Sequence, residues 1–164
     1  MVLTTTLWIT LGAIAAAWIT REIKVSEFRQ AWINELRKDI AEFTRKAQEW
    51  ADLYVEQNEA ETQPEKAAFR KMLRKLKHEA FEIHRRIQLR FKLDDEGANA
   101  LLAQLLDLLD PSKFPPPQSA NWNKLVDHAV SSSRILLKKE WEVTKNPLRK
   151  VVRSIAQFFG RSVP

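Results

Sequence analysis

FRQAWINELRKDIAEFTRKAQEWADLY, residues 28–54, places Phe28, Trp32, Leu36, Ile40, Phe43, Ala47, Trp50 and Tyr54 at steps of three and four. That period is one face of an α-helix, whereas a half-buried strand would alternate every second residue. Between Gly12 and Pro64 the chain has neither glycine nor proline, so nothing breaks the helix on either side. The fold class that follows is all-α, with an N-terminal helix that runs on into a long cytoplasmic one and packs in a helical bundle.

Upstream, residues 2–20 read VLTTTLWITLGAIAAAWIT, and the first charge is Arg21. At a helical rise of about 1.5 Å per residue this run covers roughly 30 Å, the hydrocarbon thickness of a bilayer. No basic residue precedes it, which argues against a cleaved signal peptide. Arg21, Lys24 and Arg29 all follow it, so the positive-inside rule puts the C-terminal side in the cytoplasm. Residues 1–20 are therefore expected to be a single-pass anchor in a bacterial inner membrane. Thr6, Thr10, Ala13, Ala17 and Thr20 share one face of that helix. Small residues let helices approach closely in lipid and threonine hydroxyls bond across the contact, so this face is expected to meet a second copy or line a small pore.

Residues 21–146 are expected to form the cytoplasmic bundle. A second helix fits Glu65 to Lys92, with Phe69, Met72, Leu76, Ala80, Ile83, Ile87 and Phe91 inward. The end of the first helix is acidic (Glu49, Asp52, Glu56) and the start of the second is basic (Arg70, Lys71, Arg74, Lys75), which favours an antiparallel hairpin. Asp94, Asp95 and Glu96 cap a leucine-rich third helix through Leu109. DPSKFPPPQ in the loop 110–119 reads as a stiff connector, and a fourth helix follows from Ala120 to Lys145 until Asn146-Pro147. Its inner positions are expected to be Trp122, Leu125, Val126, Ala129, Leu136 and Val143.

From Arg134 onward eight basic side chains face only Glu140 and Glu142, an excess equal to the formal net charge of +6 for the whole chain. Residues 147–164 are expected to form a basic amphipathic helix. Leu148, Val151, Val152, Ile155, Phe158 and Phe159 lie on one side, and Arg149, Lys150 and Arg153 off it. Such a segment suits an anionic membrane surface or a partner, with Arg149, Lys150, Arg153, Phe158 and Phe159 making the contact.

Little here suits catalysis. There is no cysteine, which excludes disulfides and thiolate chemistry, and three isolated glycines cannot build a phosphate loop. His78 and His84 stand six apart where a zincin needs four, so no metal site or cofactor is expected. An Arg and a His at the spacing of a HEPN ribonuclease are missing: Arg74 precedes His78 with three residues between, and Asn121, Trp122 and Asn123 occupy the slots before His128.

SEFRQAWINELRKDI (residues 26–40), IHRRIQLRFKLDDE (83–96) and LLKKEWEVTK (136–145) resemble segments of small bacterial proteins that carry an N-terminal membrane helix. The architecture is also similar to the membrane accessory proteins of type VI-B CRISPR systems, which form multimeric pores and assist an RNA-guided ribonuclease, although the HEPN-like motif of that family is missing. The resemblance implies a non-enzymatic, self-associating pore or membrane effector in antiviral defence, with lipid, copies of itself and a defence nuclease as partners and no small-molecule substrate. Two other functions fit the same residues: a tethered adaptor that binds protein or nucleic acid through its basic C-terminus, and a diverged HEPN-like nuclease around Asn123 and His128.

Overall fold

The computed structural model describes the backbone of residues 2–116 and 118–145, and the side chains of 12–14, 16–116 and 118–142. Four helices follow in order: α1 (Val2–Glu59), α2 (Gln63–Gln88), α3 (Glu96–Asp107) and α4 (Gln118–Lys145), with a 3-10 turn at Pro111–Lys113. No strand occurs among the described residues, so the all-helical class holds. The expected helix over 147–164 lies outside the described residues.

The starts of α2, α3 and the 3-10 turn are explained by their own residues. Thr62 caps α2: its hydroxyl accepts from the Glu65 amide, and the Glu65 carboxylate accepts from the Thr62 amide. Pro64 sits in the first turn, where its missing N–H costs nothing. The Asp95 carboxylate accepts from the Ala98 amide at 3.0 Å and starts α3. Asp110 does the same for the 3-10 turn, through the Ser112 amide at 3.0 Å.

The chain divides into two compact units, residues 34–138 and residues 1–33 with 139–164. In the first, cross-helix contacts fix the register. Asp39 and Glu42 of α1 meet Arg86 of α2, Lys46 meets Glu79, and Trp50 lies under Lys77, so the two helices run antiparallel. His84 lies beside Leu102 and Lys77 beside Leu109, which sets α3 antiparallel to α2. Trp122 reaches Leu108, and a methyl built on Gly97 would touch Leu136, so α4 runs back along α3. The result is an up-down-up-down four-helix bundle.

Its centre is dry. Leu36, Phe43, Ala47, Ala80, Ile87, Leu101, Leu105, Leu108 and Phe114 are fully buried. Phe114 comes from the loop and presents its ring edge-on to Trp50 and Tyr54, each 6.3 Å away between centroids. The leucine-rich third helix is covered as expected except at Leu106, which is half exposed. On α2 the inner line runs through Leu73, Ala80 and Ile87, seven apart, and Met72 is turned outward. A 3.6-residue helix can keep only one such line against its neighbours, and the bundle selects Leu73 over Met72. Phe43 is the largest side chain with no exposure at all. Phe43→Ala is expected to cost about 3–5 kcal/mol in urea unfolding of the detergent-solubilised chain followed by circular dichroism.

Candidate functional site

The expected self-association face lies on α1. Thr6 and Thr10 belong to this helix, but their side chains fall outside the described ones. Ala13, Ala17 and Thr20 are exposed on it, and the Thr20 hydroxyl donates back to the Ala16 carbonyl at 2.9 Å. That bond satisfies the hydroxyl inside the helix, as a threonine in an apolar surrounding requires. Ile14, Ile19 and Ile23 are 62%, 50% and 54% exposed, so three large apolar side chains in ten residues have no cover in the monomer. Among the described residues no helix is long and apolar enough to cross a membrane. The first half of the uncharged run, residues 2–11, lies outside the side chains so described. Arg149, Lys150, Arg153, Phe158 and Phe159 lie outside the described residues altogether.

Further along α1, Val25, Phe28, Arg29 and Trp32 line an open cleft of about 310 Å³, with Glu140 of α4 on its other side. By spacing Phe28 continues the stripe that the bundle covers from Leu36 onward, yet it is 76% exposed. The expectation that it is an inner residue is therefore corrected.

Among the described residues, one buried cluster of charges is not revealed by spacing alone. Asp39, with only 4% of its side chain exposed, holds two arginines, Arg86 of α2 and Arg90 in the turn that follows it. Its Oδ1 lies 2.8 Å from Nε of Arg86 in an ion pair, and its Oδ2 accepts from Nε of Arg90 at 2.8 Å, with Nη2 of the same arginine 2.7 Å away. Arg86 also donates to Glu42 at 2.6 Å. These partners offset the cost of burying a carboxylate. Next to it, His84 is buried against the Phe43 ring, and its Nε2 lies 3.0 Å from the Leu102 carbonyl. A carbonyl can only accept, so that nitrogen carries the proton. Farther up the hairpin Lys46 donates to Glu79 at 2.7 Å. The hydrogen bond from Lys46 holds the Glu79 carboxyl below its ordinary 4.5 and raises the ammonium above its ordinary 10.5.

The histidines are not gathered. His78 and His128 are exposed on α2 and α4, and Asn123, five residues before His128, edges a separate cavity of about 160 Å³ with Gln48, Asp52 and Trp122. Five residues turn a helix by about 140°, so Asn123 and His128 face different ways. Among the described residues no group of three His, Cys, Asp or Glu side chains could hold a metal ion. No family model matches the chain, and no curated protein or solved structure does either.

Two outcomes follow from the ion pairs. Asp39→Ala is expected to lose about 2–4 kcal/mol in urea unfolding, less than a fully buried pair would because Arg86 is half exposed. Asp39→Leu combined with Arg86→Met and Arg90→Met should recover most of it. Glu79 is pushed down and Lys46 up, so their link is whole between pH 4.5 and 10.5. It fades as acid carries the pH through the lowered carboxyl value. In a pH series of melting temperatures, the gap between wild type and Glu79→Gln should therefore stay constant within that window and close below it.

Proposed function

We propose that this chain is a membrane-anchored, self-associating helical protein without catalytic activity, whose α1 crosses a bacterial inner membrane over residues 1–20 and whose bundle stands in the cytoplasm. The observation that carries the reading is the charge-free start of α1, ended by Arg21, with Ile14 and Ile19 uncovered in the monomer. A helix with bare apolar side chains around it is stable in lipid and poorly soluble in water. Arg21, Lys24 and Arg29 then anchor the cytoplasmic side.

Thr6, Thr10, Ala13, Ala17 and Thr20 supply the close-approach face on which copies assemble. The resemblance to type VI-B accessory proteins supports the further step, that the assembly acts as a pore or membrane effector in antiviral defence beside an RNA-guided nuclease.

In cells, the chain should remain in the membrane pellet through alkaline carbonate, and Leu11→Arg should release it, since a central arginine costs about 2.5–3.5 kcal/mol on insertion. In detergent, mass photometry should show a defined multimer that Thr10→Leu with Ala13→Leu reduces while the helical circular dichroism stays unchanged. Carbonate extraction of the wild type would remove the anchor from the account, and a multimer insensitive to the double variant would remove the assembly face.

A further inference from the structure

We propose that the cavity between residues 48–55 of α1 and the first turns of α4 binds a small organic cation, an ammonium group carried on one ring or a chain of similar bulk. The cavity holds about 160 Å³. Its floor is apolar and includes Ala51, Phe114 and Trp122, which are 6%, 1% and 6% exposed. Its rim is polar: Gln48 and Asp52 come from α1, and Ser119 and Asn123 from α4. Every lining residue belongs to the compact unit of residues 34–138, so the site does not depend on how the start of α1 is anchored.

Helical spacing builds the site. Residues 48, 51, 52 and 55 share one face of α1, and 118, 119, 122 and 123 share one face of α4. Ala51 brings only a methyl group to the place where the two faces meet, and a larger side chain there would fill the space. The two aromatic residues of the floor are held by contacts made elsewhere. The Trp122 indole N–H donates to the Leu108 carbonyl at 3.2 Å, and Phe114 sets its ring edge-on to Trp50 and Tyr54. The cavity is therefore preformed, as ligand sites usually are.

The rim selects the ligand. The side chains of Gln48, Asp52, Ser119 and Asn123 bond to no other described residue, so their polar atoms converge on one opening with their hydrogen-bonding capacity uncommitted. Asp52 forms no ion pair among the described residues, although the chain carries a net charge of +6. Among the described residues no Lys, Arg or His lines the cavity, and the neighbouring Lys124 directs its ammonium to Asn121 at 3.5 Å. The mouth thus carries a single negative charge, which attracts a cation and repels carboxylates and phosphates. An ammonium has three donors and no acceptor, and the oxygens of Asp52, Gln48, Ser119 and Asn123 can all accept. Volume sets the remainder of the ligand, since a cavity of about 150 Å³ accommodates one benzene ring.

The test titrates the full chain in dodecyl maltoside against three probes of one shape, followed by fluorine NMR line broadening. These are 4-fluorobenzylammonium, 4-fluorobenzyl alcohol and 4-fluorobenzoate, with detergent alone as the partition background. The ammonium should bind saturably, the alcohol about fivefold more weakly, and the benzoate no more than background. Asp52→Asn should bring the ammonium down to the level of the alcohol and leave the alcohol unchanged. Ala51→Leu, which fills the floor, should bring all three to background. Asp52 is exposed, so its variant should melt as wild type does, and it decides the question alone if Ala51→Leu melts early. Ammonium broadening at background in the wild type, or undiminished in a folded Ala51→Leu, would overturn the site. Equal binding of the three probes, or a ranking untouched by Asp52→Asn, would overturn the charge selection and the proposal with it.

Discussion

The carboxylate of Asp39 fixes how the first two helices of the bundle meet. It takes Arg86 near the end of α2 and Arg90 in the turn that follows, and both of its oxygens are committed. Two ridges of apolar residues can slide past one another by a turn at small cost, but a buried carboxylate cannot give up its partners without leaving charge unpaired in a poorly solvated place. The pair therefore selects one register. Phe43 and His84 then meet side by side, and His84 in turn reaches the Leu102 carbonyl of α3. One polar choice on α1 is propagated through the imidazole to a third helix.

The sequence makes some of this legible and hides the rest for definite reasons. The helical class, the absence of a break before Pro64, the Asp95 cap and the burial of most of the α3 leucines all follow from local rules that act within a few residues. Asp39 and His84 are not visible in that way, because polar letters inside an amphipathic pattern read as surface until a partner from a distant segment is known. Glu49 and Asp52 of the acidic stretch and Lys75 of the basic one border one cavity, as the charge pattern of the hairpin implies, but the described cross-helix ion pairs join Asp39 and Glu42 to Arg86, Asp39 to Arg90, and Lys46 to Glu79. A tally of charge along a helix carries no information about which face the charges occupy. Phe28 fails for a related reason: periodicity identifies a stripe but not how far along the helix its cover extends.

The candidate site divides in the same manner. The small-residue face of α1 can be found from spacing alone, because a face is a property of one helix. The cleft beside Phe28 cannot, because it needs Glu140 from more than a hundred residues away. Among the described residues, the chain uses its polar side chains to join helices, cap them and rim shallow cavities.

Phe114 has a consequence for the proline run that follows it. The residue immediately before Pro115 and Pro116 sets its ring edge-on against the stacked Trp50 and Tyr54, and the Pro115 carbonyl accepts from the Asn121 side chain at 2.8 Å. A domain that reads polyproline needs an extended strand of chain with free carbonyls to lay across its aromatic groove. To present one here, the protein would have to withdraw Phe114 from its slot, at about 1.5–3 kcal/mol for that side chain alone, and surrender the bond that holds the start of α4. Phe114 thus ties the start of the connector to the bundle, while Pro115 and Pro116 themselves stay exposed.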